Sequence, residues 1–222
     1  MSKQIHHCFL LLLVSASLAS VKAAQAQSLD DVLLNIESRW ATAAIETDGR
    51  QHQKTLKQLL DDVRDLHATH PGKPGAAAWH GIVARAYMDA KGSSGSMRLA
   101  REARDALLKA ESLDPLVLGG RVYANLGSLY SKVPSSFGGF GNKTRGIGYL
   151  WKAIVVDPHG LDSNYLYAKV LLDEKDYPAA RDALLKANDA PVRPGHPKAD
   201  HARKLEVAAL LGKVETRLRD LT

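Results

Sequence analysis

The sequence predicts an all-α fold: tetratricopeptide-like antiparallel helix pairs, about nine helices in all, stacked in a compact superhelical bundle. Three observations predict it. Apolar residues recur at helical spacing along most of the 222 residues, as in Leu56, Leu59, Leu60, Val63 and Leu66. Alternating runs of valine, isoleucine and threonine, which mark strands, are hardly present. A pattern of small and large residues closes twice on Asp-Pro: Ala103, Leu107 and Ala110 before Asp114-Pro115, and Leu126, Gly127, Tyr130, Leu150 and Ala153 before Asp157-Pro158.

The pattern has a packing rationale. Gly127 and Ala153 let two antiparallel helices approach closely, while Leu126, Tyr130 and Leu150 fill the space between them. Pro158 closes the unit because proline disfavours a helical residue before it.

Residues 1–26 read as a cleaved secretory signal peptide. Lys3 with His6 and His7 forms the charged start, Cys8 to Val21 is too short for a membrane span, and Ala24-Gln25-Ala26 offers a small-x-small cleavage site. Cleavage after Ala26 places the protein in the periplasm without a membrane anchor. It also removes Cys8, the only cysteine, so stability in an oxidising compartment must come from helix packing.

Residues 27–222 are expected to form one helical-repeat domain. Its N-terminal hairpin, 27–74, begins at Ser28, where Asp31 three residues on makes a capping box, and continues through Leu33, Ile36 or Glu37, Trp40 and Ala44. Thr47-Asp48-Gly49 is the turn, and His70-Pro71-Gly72 ends the second helix. Three repeat-like pairs follow over 75–190. The first carries Trp79, Ile82 and Val83; the second holds a long glycine-rich loop between its helices; the third has the ordinary spacing, with Asp176 capping its second helix. Three prolines and a glycine make 191–197 a non-helical connector. The last helix, 198–222, presents Leu205, Ala208, Leu211 and Val214 and covers the open end of the stack.

Charge gives no binding signal. The mature chain keeps 28 basic and 24 acidic residues, alternating along helices as on a solvated exterior, which argues against nucleic acid. Gly141-Asn142-Lys143-Thr144 lacks the glycine before lysine that a phosphate loop needs, and Gly92-Ser93-Ser94-Gly95-Ser96 is a turn without nucleophile-elbow spacing. His67 and His70 have no third ligand nearby in sequence. No catalytic residue, metal site or cofactor is therefore assigned.

Stacked helix pairs expose a concave face made by their first helices. Taking Tyr87, Tyr130 and Leu171 as equivalent places Arg85, Ser128 and Lys169 at one groove level, with Met88 a turn further. Arg85 and Lys169 are ligand contacts or merely solvated. Function is expected to sit at the long loop, where Phe137 and Phe140 stand among glycines. One ring is expected to plug the core and the other to stay free as a lid.

Several stretches carry a resemblance: Trp79-His80-Gly81-Ile82-Val83, Leu126-Gly127-Ser128-Leu129-Tyr130, Val133-Pro134 leading to Phe140-Gly141, Asp157 to Asp162 with Asn164-Tyr165, and Pro191 to Asp200. Together they resemble exported tetratricopeptide proteins related to TatT, the T-component family of tripartite ATP-independent periplasmic (TRAP) transporters, over roughly Leu33 to Val214. The resemblance implies a helical bundle with an apolar channel, a homotrimer in transporter-associated members, docking to a periplasmic solute-binding protein, and no catalysis. The chain departs from the family where Ser135-Ser136-Phe137-Gly138-Gly139 and Asn142 replace a tryptophan, a second proline and an acid, and it lacks a lipid-attachment cysteine.

The expected function is a non-enzymatic periplasmic binding or adaptor protein holding a small apolar or amphipathic solute. Arg85, Met88, Ser128, Tyr130, Phe137, Phe140, Tyr165 and Lys169 are its candidate contacts. The alternative is a periplasmic scaffold binding peptide segments of other exported proteins.

Overall fold

Helices form where the apolar period and the caps place them. The computed structural model describes residues 28–45, 49–92, 96–136 and 138–221, so residues 1–26, expected to be a signal peptide, and Phe137 lie outside the described residues. Among the described residues there are nine helices and no strands. They are α1 (Leu29–Ala44), α2 (Gly49–Thr69), α3 (Pro74–Lys91), α4 (Ser96–Leu113), α5 (Arg121–Lys132), α6 (Lys143–Val156), α7 (Leu161–Asp173), α8 (Tyr177–Asp189) and α9 (Pro197–Arg219).

Local chemistry sets several of these ends. The Ser28 hydroxyl accepts from the Asp31 amide at 3.1 Å and donates to its carboxylate at 2.8 Å. Asp176 accepts from the Ala179 amide at 3.1 Å, with Pro178 in the first turn of α8. Asn142 caps α6 by accepting from Arg145 N–H at 2.9 Å. The residue that spoils a phosphate loop is thus a helix cap, and Lys143 beside it pairs with Glu174.

Residues from Leu33 onward form one compact unit. Within it α3 packs on α4, α5 on α6 and α7 on α8 as helix pairs, and α2 lies against α3. The first helices of successive pairs, α3, α5 and α7, are neighbours. Two glycines set the depth of the first two pairs. A Cβ on Gly127 would stand 2.6 Å from Leu150 Cγ and 2.9 Å from the Gly146 carbonyl oxygen; one on Gly81 would stand 2.5 Å from Leu107 Cγ and 2.9 Å from the Ala103 carbonyl oxygen. Gly81 therefore answers to Gly127, and the residue in register with Tyr130 is Ala84 rather than Tyr87. Tyr87 is displaced by nearly one turn, because the small residue that permits close approach fixes the alignment and the aromatic beyond it does not.

The interior is lined by leucines from every pair, with Leu59, Leu60, Leu107, Leu126, Leu150 and Leu184 wholly buried. The last helix is rotated from the sequence expectation. Val214 of the expected stripe is buried, but Leu205 is 50% exposed and Ala208 faces solvent, whereas Asp200, Arg203 and Val207 are buried instead. Charged residues stand inside α9 because their partners wait there. No described helix is long and apolar enough to cross a membrane.

These contacts set opposite outcomes for two glycines of one helix pair. Gly127→Ala drives a methyl into the Gly146 carbonyl and should cost about 1–3 kcal/mol by urea denaturation. Gly148, in α6, has nothing within 4 Å of its Cβ position, so Gly148→Ala should gain about 1 kcal/mol from helix propensity.

Candidate functional site

Three arginines, Arg121, Arg193 and Arg203, and their carboxylates run through the bundle interior. Arg121, at the start of α5, donates to Glu37 of α1 at 2.7 Å and lies 2.9 Å from Asp162 of α7. Arg203 of α9 reaches the other oxygen of Asp162 at 2.7 Å and Glu206 at 2.6 Å. Arg193, in the proline-rich connector, pairs with the fully buried Asp200 at 2.5 Å and approaches Glu37 at 3.5 Å. His196 stands against the second oxygen of Glu37. Burial opposes ionisation of Asp162, but Arg121, Arg203 and Arg193 overcome it and hold its carboxyl well below the usual range. Arg203 is held well above the ordinary guanidinium value: burial lowers it, and Asp162 with Glu206 more than reverses this.

Aromatic rings complete the cluster. The Arg121 guanidinium lies 4.8 Å from the Trp79 ring centroid, and Arg203 lies 5.0 Å from Trp40 and 4.4 Å from Tyr165. Trp40 meets Trp79 edge-on at 6.0 Å. Through these contacts α1 and α9 close over α3, α5 and α7. The groove expected along the first helices is thus occupied by two helices of the same chain.

What stays open is a cavity of about 290 Å³. Trp40 of α1, His52 of α2, Arg85 and Asp89 of α3, Tyr165 and Lys169 of α7, and Arg203 and Glu206 of α9 line it. Arg85 is tied down, donating to Asn125 Oδ1 at 2.5 Å and to Asp89 at 2.7 Å. Lys169 makes no ion pair among the described residues, and its ammonium lies 5.5 Å from the Tyr165 ring centroid. Burial, then Lys132 and Arg85, bring Lys169 down to about 8. Burial also pushes the Tyr165 hydroxyl well above its ordinary value.

Of the eight candidate contacts, Arg85, Tyr165 and Lys169 meet in this cavity. Met88 lines a separate hollow of about 240 Å³ with Met97, Val133 and Pro134. Ser128 is buried, its hydroxyl without a hydrogen-bond partner among the described residues. Tyr130 is part of the core: it stacks on Tyr149 at 5.7 Å, carries Arg145 4.5 Å above its ring, and meets Phe140 edge-on at 5.5 Å. Phe140 is also covered by Arg104 at 4.4 Å, so it serves as a plug and lines neither hollow. Phe137 lies outside the described residues.

The loop takes this course because it folds back on itself. Gly141 N–H donates to the Pro134 carbonyl at 3.0 Å and Asn142 N–H to that of Tyr130 at 2.8 Å. A Cβ on Gly139 or Gly141 would fall 1.9 Å or 1.7 Å from the facing carbonyl oxygen. Sequence reasoning missed Trp40, His52, Arg203 and Glu206 as cavity residues; pairing of distant charges has no local signal.

A second polar group lies away from the cavity. His67 Nδ1 is 2.9 Å from His80 Nδ1, His80 Nε2 is 2.9 Å from Glu102, and Arg64 grips Glu102 at 2.6 and 2.8 Å. It bolts α2 and α3 to α4. His70 turns to the Leu66 carbonyl instead of joining His67. No group of three or more metal-ligating side chains occurs among the described residues. Compared with known proteins, the chain matches no family model and no curated protein.

Two predictions follow from the ion pairs. Asp162→Ala leaves buried arginines uncompensated and should cost about 3–5 kcal/mol in urea titration. Burial alone would raise Glu102, but its bonds to His80 and Arg64 bring it down to about 2 from 4.5. Its contribution is therefore complete above pH 4.5 and lost as pH falls through about 2. Unfolding free energies from urea titrations across that window should fall by about 3 kcal/mol more in the native chain than in Glu102→Gln.

Proposed function

We propose that the chain is a non-enzymatic periplasmic binding or adaptor protein that holds a small amphipathic solute in the Trp40–Tyr165–Lys169 cavity. The observation that carries this is the cavity itself: about 290 Å³ lined by Trp40, Leu56 and Tyr165 among charged groups, with one lysine at its edge that lacks an ion-pair partner among the described residues. Export rests on the segment at 1–26, with its charged start, short apolar run and Ala24-Gln25-Ala26 site. Docking to a periplasmic solute-binding protein, and assembly as a homotrimer, rest on the resemblance to the TatT-related T-components.

The peptide-scaffold alternative has less support. An extended peptide needs a long open groove, and α1 and α9 lie over the first helices where that groove would run. The remaining hollow suits a small molecule or a single side chain.

Native mass spectrometry of the protein recovered from the periplasm tests this directly. The expected species begins at Gln27 and carries one small molecule per chain, released on denaturation and lost in Tyr165→Ala. A bare chain, or an unprocessed one retained in the cytoplasm, would overturn the proposal.

A further inference from the structure

Charge inside the cavity is nearly, but not fully, balanced. Asp89 is held by Arg85 at 2.7 Å and Glu206 by Arg203 at 2.6 Å, while Asp162 behind them holds the rest of Arg203 at 2.7 Å. Each lining carboxylate is thus engaged by an arginine. Lys169 is the cation left over, half-buried at the cavity wall, its ammonium over the Tyr165 ring and in no ion pair among the described residues. The carboxylate facing it, Asp89, is held by Arg85, and a partly desolvated ammonium without a carboxylate of its own is an incomplete site.

We infer that the cavity takes an organic monoanion, a carboxylate with a small apolar body, its carboxylate against Lys169 and its body against the apolar lining of Trp40, Leu56, Ala86 and Ala90. This rests on the solute-holding role proposed above and adds the chemical class of the solute. Trp40, Leu56, Ala86 and Ala90 supply apolar surface for that body, and the volume lies at the small end of ligand cavities, which run from about 300 to 1,000 Å³. A cationic ligand would meet Lys169 and two arginines, and a dianion would carry one charge more than the free ammonium neutralises. A neutral ligand would leave Lys169 uncompensated.

The surroundings of Lys169 add a pH signature. Arg85 and Asp89 face it from α3, Lys132 from α5 and Arg203 from α9, with His52 of α2 and Glu206 of α9 on the same cavity wall. Burial and the neighbouring cations hold its pKa near 8 in the empty protein. Binding of an anion should weaken as pH rises through that value.

Calorimetry of residues 27–222 with phenylacetate, phenylacetamide and phenethylamine, after removal of any copurified solute, tests the inference. Phenylacetate should bind about 10- to 100-fold more tightly than phenylacetamide at pH 7, and phenethylamine more weakly than either. The preference should vanish in Lys169→Met, persist in Lys169→Arg, and decline above pH 8 for phenylacetate alone. Equal binding of phenylacetate and phenylacetamide, or an undiminished preference in Lys169→Met, would overturn the anion inference and leave the solute-holding role standing. Absence of binding by all three, with no solute copurified, would overturn both.

Discussion

The arrangement depends on one buried carboxylate. Asp162 takes Arg121 on one oxygen and Arg203 on the other, and so joins α5, α7 and α9 at a single point. Arg121 then carries the connection to Glu37 on α1. Ions are costly to bury, and this cluster is tolerable because its charges alternate and each oxygen of Asp162 and Glu37 faces a basic side chain. Its benefit is geometric. Apolar packing would let α1 and α9 slide along the stack, whereas paired guanidinium and carboxylate groups fix their positions on it.

The cavity is a consequence of that closure. α1 and α9 approach the first helices through Trp40, Tyr165 and Arg203, which are wide and flat, and the space they leave is bounded by ring faces and guanidinium planes. A groove that could have accepted an extended segment becomes a compartment for something small. The long loop, on which the sequence concentrates glycine and phenylalanine, does different work. Its glycines let it turn back on its own carbonyls, and Phe140 seals the edge of the Tyr130–Tyr149 stack.

Much of this was legible beforehand because helix periodicity and caps are local signals. Ser28, Asp176 and the Asp-Pro stops place their helix ends to within a residue or two, and the small residues at Gly127 and Ala103 mark the pair contacts. What was not legible is pairing between charges far apart in the chain. Arg121 and Glu37 are 84 positions apart, and Arg203 and Asp162 41, so each reads alone as a surface charge. The same blindness turned α9 the wrong way, since a search for its apolar stripe selects Leu205 and passes over Arg203. Arg85, Tyr165 and Lys169 were found because the first helices line one face. Trp40 and Glu206 were not, because the helices that bring them lie at opposite ends of the chain.

Hydrogen exchange in Asp162→Asn is the most direct test of that closure. If the carboxylate fixes α1 and α9 on the stack, amides of these two helices should lose protection first and by the largest factor, while α3 and α4 retain theirs. Uniform loss over all helices would make Asp162 an ordinary contributor to global stability. Unchanged protection in α1 and α9 would contradict the account outright.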